Sequence, residues 1–168
     1  VWSIVLKKYS NNSNLLSQNM LDKSIVFQAL KDEIQTRITT LETALDNSRA
    51  EMVSESKSTA GDKHETGRAM AQLEQEKLGR QVLSARELKQ AVAQIDHDQQ
   101  YTEVQFGSLV EASNGLFFFS VGIGKLQVED QSIFCLTITS PLGNLLKGKK
   151  AGDSIQFNGR TISIKDIC

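Results

Sequence analysis

The chain has 168 residues, enough for one ordinary domain or two small ones and too few for a multidomain machine. Nineteen basic and twenty acidic side chains leave a formal charge of −1, which excludes nucleic-acid binding through bulk electrostatics, so any such contact needs a local patch. A single Pro, 6% aromatic residues and 39% hydrophobic residues describe a helix-rich chain with a modest core, neither disordered nor collagen-like. Two cysteines, Cys135 and Cys168, are too few for a disulfide framework or a four-ligand zinc site, and they imply a reducing, cytoplasmic setting. The longest uncharged stretch, 131–146, contains Pro141 and several polar residues. It falls short of the roughly 18 apolar residues of a membrane span, so no membrane contact is expected.

Residues 1–19, VWSIVLKKYSNNSNLLSQN, start apolar and only then reach Lys7 and Lys8, the reverse of a signal peptide. The first Met is Met20, directly before a helical pattern, and the expectation is that 1–19 are a non-native leader or a disordered arm. From Ser24 to about Ser56, Phe27, Leu30, Ile34, Ile38, Leu41, Leu45 and Met52 recur at steps of three, four and seven. That spacing is one face of a helix of about 33 residues and roughly 50 Å. A second pattern of matching length runs from about Asp62 to Asp96 through Leu73, Leu78, Val82, Ala85, Leu88, Val92 and Ile95. Gly61 and the polar segment before it predict a turn, so the two helices fold back as an antiparallel hairpin over residues 20–100, each stripe covering the other. A hairpin satisfied in this way predicts a monomer.

After Gln100 the composition shifts to Gly, Thr, Ile and Phe and the period shortens towards two. Strands are expected at 108–112, 116–121, 132–139, 154–157 and 161–164, forming a small antiparallel sheet domain over 101–168. Asn158-Gly159 between IQF and RTISI predicts a type I′ hairpin with Ile155 opposite Ile162. Between the third and fourth of these strands, SPLGNLLKGKKAGD holds one helical turn and several bends. The fold class is thus α+β.

Neither His64 nor His97 has the Cys or carboxylate spacing of a zinc site or nucleophile dyad, and both read as surface residues. Cys135 reads as a small sheet residue on the face opposite Phe134, Leu136 and Ile138. Lys147, Lys149 and Lys150 read as a phosphate or acidic-surface contact, or as a solvated turn. In GDKHETGR, residues 61–68, Asp62 and Glu65 stand three apart at a helix start. This pair has two readings: a near capping box that satisfies free N–H groups, and a distal acidic pair able to reach a metal.

These segments resemble the Gre transcript cleavage factors, elongation factors of bacterial RNA polymerase, over nearly all of residues 20–167. SPLGNLLKGKKAGD at 140–153 is similar to the signature of that family's C-terminal domain, FGSLV at 106–110 and FSVGIGKLQVEDQSIFCLTI at 119–138 to its preceding strands, and GDKHE at 61–65 to its hairpin tip. The resemblance implies a coiled-coil hairpin carried by an FKBP-like sheet domain that docks on RNA polymerase. It makes Ser140, Pro141, Leu142, Gly143, Lys149 and Lys150 polymerase-binding candidates. It also implies that the hairpin enters the secondary channel, where Asp62 and Glu65 assist the magnesium of the polymerase's own active site in cutting the nascent RNA of a backtracked complex. No cofactor is expected on the chain alone, and magnesium suits the role because it takes one or two carboxylates beside substrate oxygens. The family commonly follows its tip Glu with Asn-Ala-Glu-Tyr. Here Thr66-Gly67-Arg68-Ala69 stands instead, which turns an acid into Arg68, a candidate RNA-phosphate contact.

Four readings follow. The first is a factor that stimulates the polymerase's nuclease without being an enzyme, and the second a channel-binding regulator or inhibitor without that stimulation. The third is a free prolyl isomerase, disfavoured because the only Trp is Trp2 in the leader. The fourth is a coiled coil that oligomerises.

Overall fold

The computed structural model describes residues 21–55 and 63–168. Helix α1 spans Lys23–Glu55 and α2 spans Lys63–Val92, each within a few residues of the bounds that the periodicity gives. Asp22 caps α1: its Oδ1 accepts the Ser24 N–H at 2.9 Å, and that bond holds its carboxyl below the ordinary value. The helices run antiparallel. Lys89 Nζ reaches Gln35 Oε1 at 2.7 Å, Arg86 pairs with Glu42 at 2.5 Å, and Gln75 donates to the Met52 sulfur, so numbers rise along one helix as they fall along the other.

Burial is graded along this hairpin. Val26, Phe27, Leu30, Ile34 and Ile38 of α1 and Val82, Ala85 and Val92 of α2 are buried, whereas none of the described residues 39–54 and 66–81 is fully so. Two helices alone shield only one stripe each. The proximal half is buried because the sheet covers it as well. Leu73, expected in the α2 stripe, is 60% exposed and faces away from α1. Its step of five to Leu78 breaks the three-four rhythm, and half-buried Ala71 and Gln75 take the inner positions.

The second half of the chain forms β1 (Leu109–Ala112), β2 (Gly115–Phe119), β3 (Gly124–Val128), β4 (Gln131–Leu136), α3 (Pro141–Leu146), β5 (Ser154–Phe157) and β6 (Arg160–Ile167). The sheet order is β3-β4-β2-β1-β6-β5. This corrects the expected all-antiparallel sheet, because β2 and β4 pair in parallel, Phe118 opposite Cys135. A sixth strand beyond the expected five, β3, is the reason: after β2 the chain crosses to the far edge, runs back as β3, and β4 then fills the gap. The Asn158-Gly159 turn has both residues at positive φ, 51° and 75°, and sets Ile155 opposite Ile162 as its type I′ chemistry predicts.

Two cores flank the sheet. On one face Leu109, Leu116, Phe118, Leu126, Ile133 and Cys135 pack with Phe27, Leu30, Ile34, Val92 and Ile95 of the helical half. On the other, Val110, Phe117, Phe119, Ile155 and Ile162 pack with Leu146 of α3. Ile162, Ile164 and Ile167 share this second face although their spacing changes from two to three. A register shift in the β1–β6 ladder, where Glu111 faces Asp166 and Ala112 faces Ile164, makes Lys165 the extra residue of a bulge and resets the alternation.

Candidate functional site

The hairpin base is locked to the sheet half. Lys23, only 4% exposed, donates from Nζ to the Gln99 carbonyl and lies 4.5 Å from the Tyr101 ring centroid. Burial pushes its ammonium pKa down, opposed by the charges of Cys168, Asp96 and Asp98. His97 stacks on Phe27 with ring centroids 4.9 Å apart, so it is a packing residue of the junction as well as a half-exposed one. A lysine at a helix start reads as solvated, and nothing in the sequence marks this contact. The lock matters mechanically: a rod fixed at one end by a shared core transmits the position of its base to its tip.

At the far end, Asp62 lies outside the described residues. Glu65 falls in the first turn of α2, and its side chain also lies outside them. Thr66, next to it, and Arg68, almost one turn further, are exposed. From Lys63 to Val82, the first buried residue of α2, the helix rises about 30 Å, so the first turn of α2 stands that far beyond the buried core. Among the described residues no three His, Cys, Asp or Glu side chains converge as a metal-binding group. Several hollows of the described surface lie along the hairpin flanks. One, between the helices, is lined by Lys31, Asp32, Ile34, Gln35, Lys89 and Val92 and offers charges and an amide but no His, Ser or Cys.

The second candidate region is α3 and the turn after it. Ser140 caps α3: its Oγ accepts the Gly143 N–H at 3.0 Å and donates to the Thr137 carbonyl at 2.8 Å. Pro141 at the first helical turn suits the fixed φ of the ring. Gly143 is buried, and a Cβ there would stand 2.3 Å from the Thr137 carbonyl oxygen. Thus Ser140 and Gly143 shape the turn, while Pro141, Leu145, Lys147 and Lys150 are exposed and Leu142 and Lys149 half-buried. The backbone of the basic turn is fixed on both sides. Val104 N–H donates to Lys149 O and Gly148 N–H to Val104 O, each at 2.8 Å, and Lys150 N–H donates to Asp153 Oδ2 at 2.8 Å. Asp153, the acid of the Gly-Asp pair, therefore has a structural task.

Cys135 is fully buried, and desolvation pushes its thiol up to about 12, which leaves it a protonated core residue at neutral pH. Among the described residues no helix is long and apolar enough to cross a membrane. No protein-family model matches the chain, and no curated protein matches it.

Proposed function

We propose that this chain is an accessory factor of bacterial RNA polymerase. Its sheet half, of FKBP-like type, docks through the exposed parts of the 140–153 segment. Its hairpin, packed as a coiled coil, enters the secondary channel as a monomer. The observation that carries the reading is mechanical: antiparallel helices of 33 and 30 residues, anchored at their base by a shared core and by Lys23, carry the first turn of α2, with Glu65 in it, about 30 Å beyond the buried core. An enzyme brings its reacting groups into its own cleft. A cantilever with its acids at the free end instead suits delivery into someone else's.

In this reading Asp62 and Glu65 lend carboxylate oxygens to the magnesium held by the polymerase, and the bond cleavage remains the polymerase's chemistry. Arg68, exposed one turn up the helix, would pair with an RNA phosphate. It also favours the second reading, a channel-bound regulator without cleavage stimulation, since a cation near the acids lowers their attraction for a metal.

The test is addition of the protein to a backtracked elongation complex in magnesium buffer, with the 3′ end of the RNA followed on a gel. Faster shortening of the transcript supports the first reading. Binding to polymerase with no shortening at any magnesium concentration supports the second, and no binding refutes both.

A further inference from the structure

The inner stripe of α2 faces α1, yet the helix carries a second track. Ala69, Leu73, Glu76, Arg80, Leu83 and Glu87 follow one another at steps of four, three, four, three and four, the spacing of a coiled-coil seam, and all six are exposed. Leu73 and Leu83 are each 60% exposed. Glu76 and Arg80 form no ion pair among the described residues, although the neighbouring Lys77 pairs with Glu74 and Arg86 with Glu42. The sheet packs on α1 and on the base of α2 at Ala85 and Val92, and the six track residues stay exposed.

We propose that this outer track is a self-association surface on which a second copy of the chain docks antiparallel. The sequence of the track is its own complement. A two-fold axis at the level of Leu78 sets Leu73 opposite Leu83 of the second copy and Leu83 opposite its Leu73. The same axis sets Glu76 opposite Arg80 and Arg80 opposite Glu76, and Ala69 meets Glu87 at each end. Apolar layers thus flank two central ion pairs of correct sign. A register slip of one heptad loses both ion pairs, so the charges fix the alignment while the leucines supply the burial. A parallel arrangement would put Glu76 on Glu76 and Arg80 on Arg80, which like-charge repulsion disfavours.

The track is about 27 Å long and its two leucine pairs bury less than the roughly 1,200 Å² of a standard stable interface, so the association is weak, with Kd on the order of 100 µM. Monomer and dimer therefore exchange readily. The dimer covers the half of the hairpin that channel entry would use, so it is a reserve form that cannot insert; this consequence, unlike the association, rests on the proposed function.

Sedimentation of the full chain from about 5 µM to about 1 mM tests the proposal without polymerase. The average mass should climb from monomer towards dimer. The L73E/L83E variant, whose changes are on the surface and should leave the helical circular dichroism unchanged, should stay monomeric throughout. E76R alone sets like charges opposite one another and should weaken association about tenfold, and E76R/R80E should restore it. A wild type that remains monomeric at the highest concentration overturns the proposal. So does an L73E/L83E variant that associates equally well, or a double charge swap no better than E76R.

Discussion

The proposed function stands on reach, and reach can be altered without touching either end of the molecule. Residues 46–52 of α1 and 75–81 of α2 lie opposite one another, since Met52 meets Gln75, and none of the fourteen is fully buried. Deleting both segments removes seven residues from each helix, shortening the rod by about 10 Å. Seven residues are nearly two whole turns, so the faces beyond the deletion rotate by only about 20° and the stripes still meet. The buried proximal core, from Val26 to Ile38 and Val82 to Val92, is untouched, so the protein should fold, with a loss of helical signal in proportion to the residues removed. A metal–oxygen bond is about 2 Å long, and a misplacement of 1 Å can already cost about 100-fold in rate, so a tip withdrawn by 10 Å should stimulate no cleavage. The assay is transcript shortening in a backtracked complex, with polymerase binding measured beside it. Lost cleavage with retained binding is expected. Full cleavage by the shortened protein would refute the reasoning from reach.

Three further expectations concern the scaffold. Gly79 lies mid-helix with nothing within 4 Å of where a Cβ would go, so Gly79→Ala should stabilise the protein by about 1 kcal/mol, read as a rise in Tm of about 3 °C. Gly143→Ala should destabilise it by about 2 kcal/mol or more in urea unfolding, because the new methyl group meets the Thr137 carbonyl at 2.3 Å. The Cys135 thiol, ordinarily near 9.0, holds its proton up to about 12 in the folded state while the unfolded chain loses it. Folding is then coupled to proton uptake between those values. Stability should fall as pH rises from 9 to 12, by up to about 1.4 kcal/mol per unit, and Cys135→Ala should remove this part of the alkaline loss.

Where periodicity or turn chemistry was strong, the fold was legible in the residues. Phe27, Leu30, Ile34 and Ile38 announce α1, and Asn158-Gly159 announces its hairpin together with the facing of Ile155 and Ile162. Strand β3 leaves little trace in the sequence because GKLQV carries only Leu126 and Val128 as inward residues, too short a run to stand out between Gly124 and the turn at Glu129. Parallel pairing of β2 with β4 is a property of the path through β3, and no local pattern encodes it. Leu73 shows a different limit. An exposed leucine on an amphipathic helix looks like a core residue until its angle is compared with its neighbours, and the outer track to which it belongs appears only once α1 is known to lie on the other side. Of the functional candidates, the 140–153 segment was legible as a motif but not as a division of labour, in which Ser140, Gly143 and Asp153 hold the turn and Pro141, Leu145, Lys147 and Lys150 present it. The lock of Lys23 on Gln99 and Tyr101 is long-range and leaves no trace in local sequence.

The central claim is that the tip acids act by charge on a metal rather than by capping α2. Replacing both, Asp62→Asn with Glu65→Gln, preserves most hydrogen-bonding shape while removing both negative charges. Transcript cleavage in a backtracked complex, measured for this variant against the wild type at equal occupancy of polymerase, is the direct test. Stimulated cleavage should be lost, with binding and Tm nearly unchanged. Cleavage at the wild-type rate, accompanied by a stability loss of about 1 kcal/mol, would contradict it and leave the two acids as a helix cap.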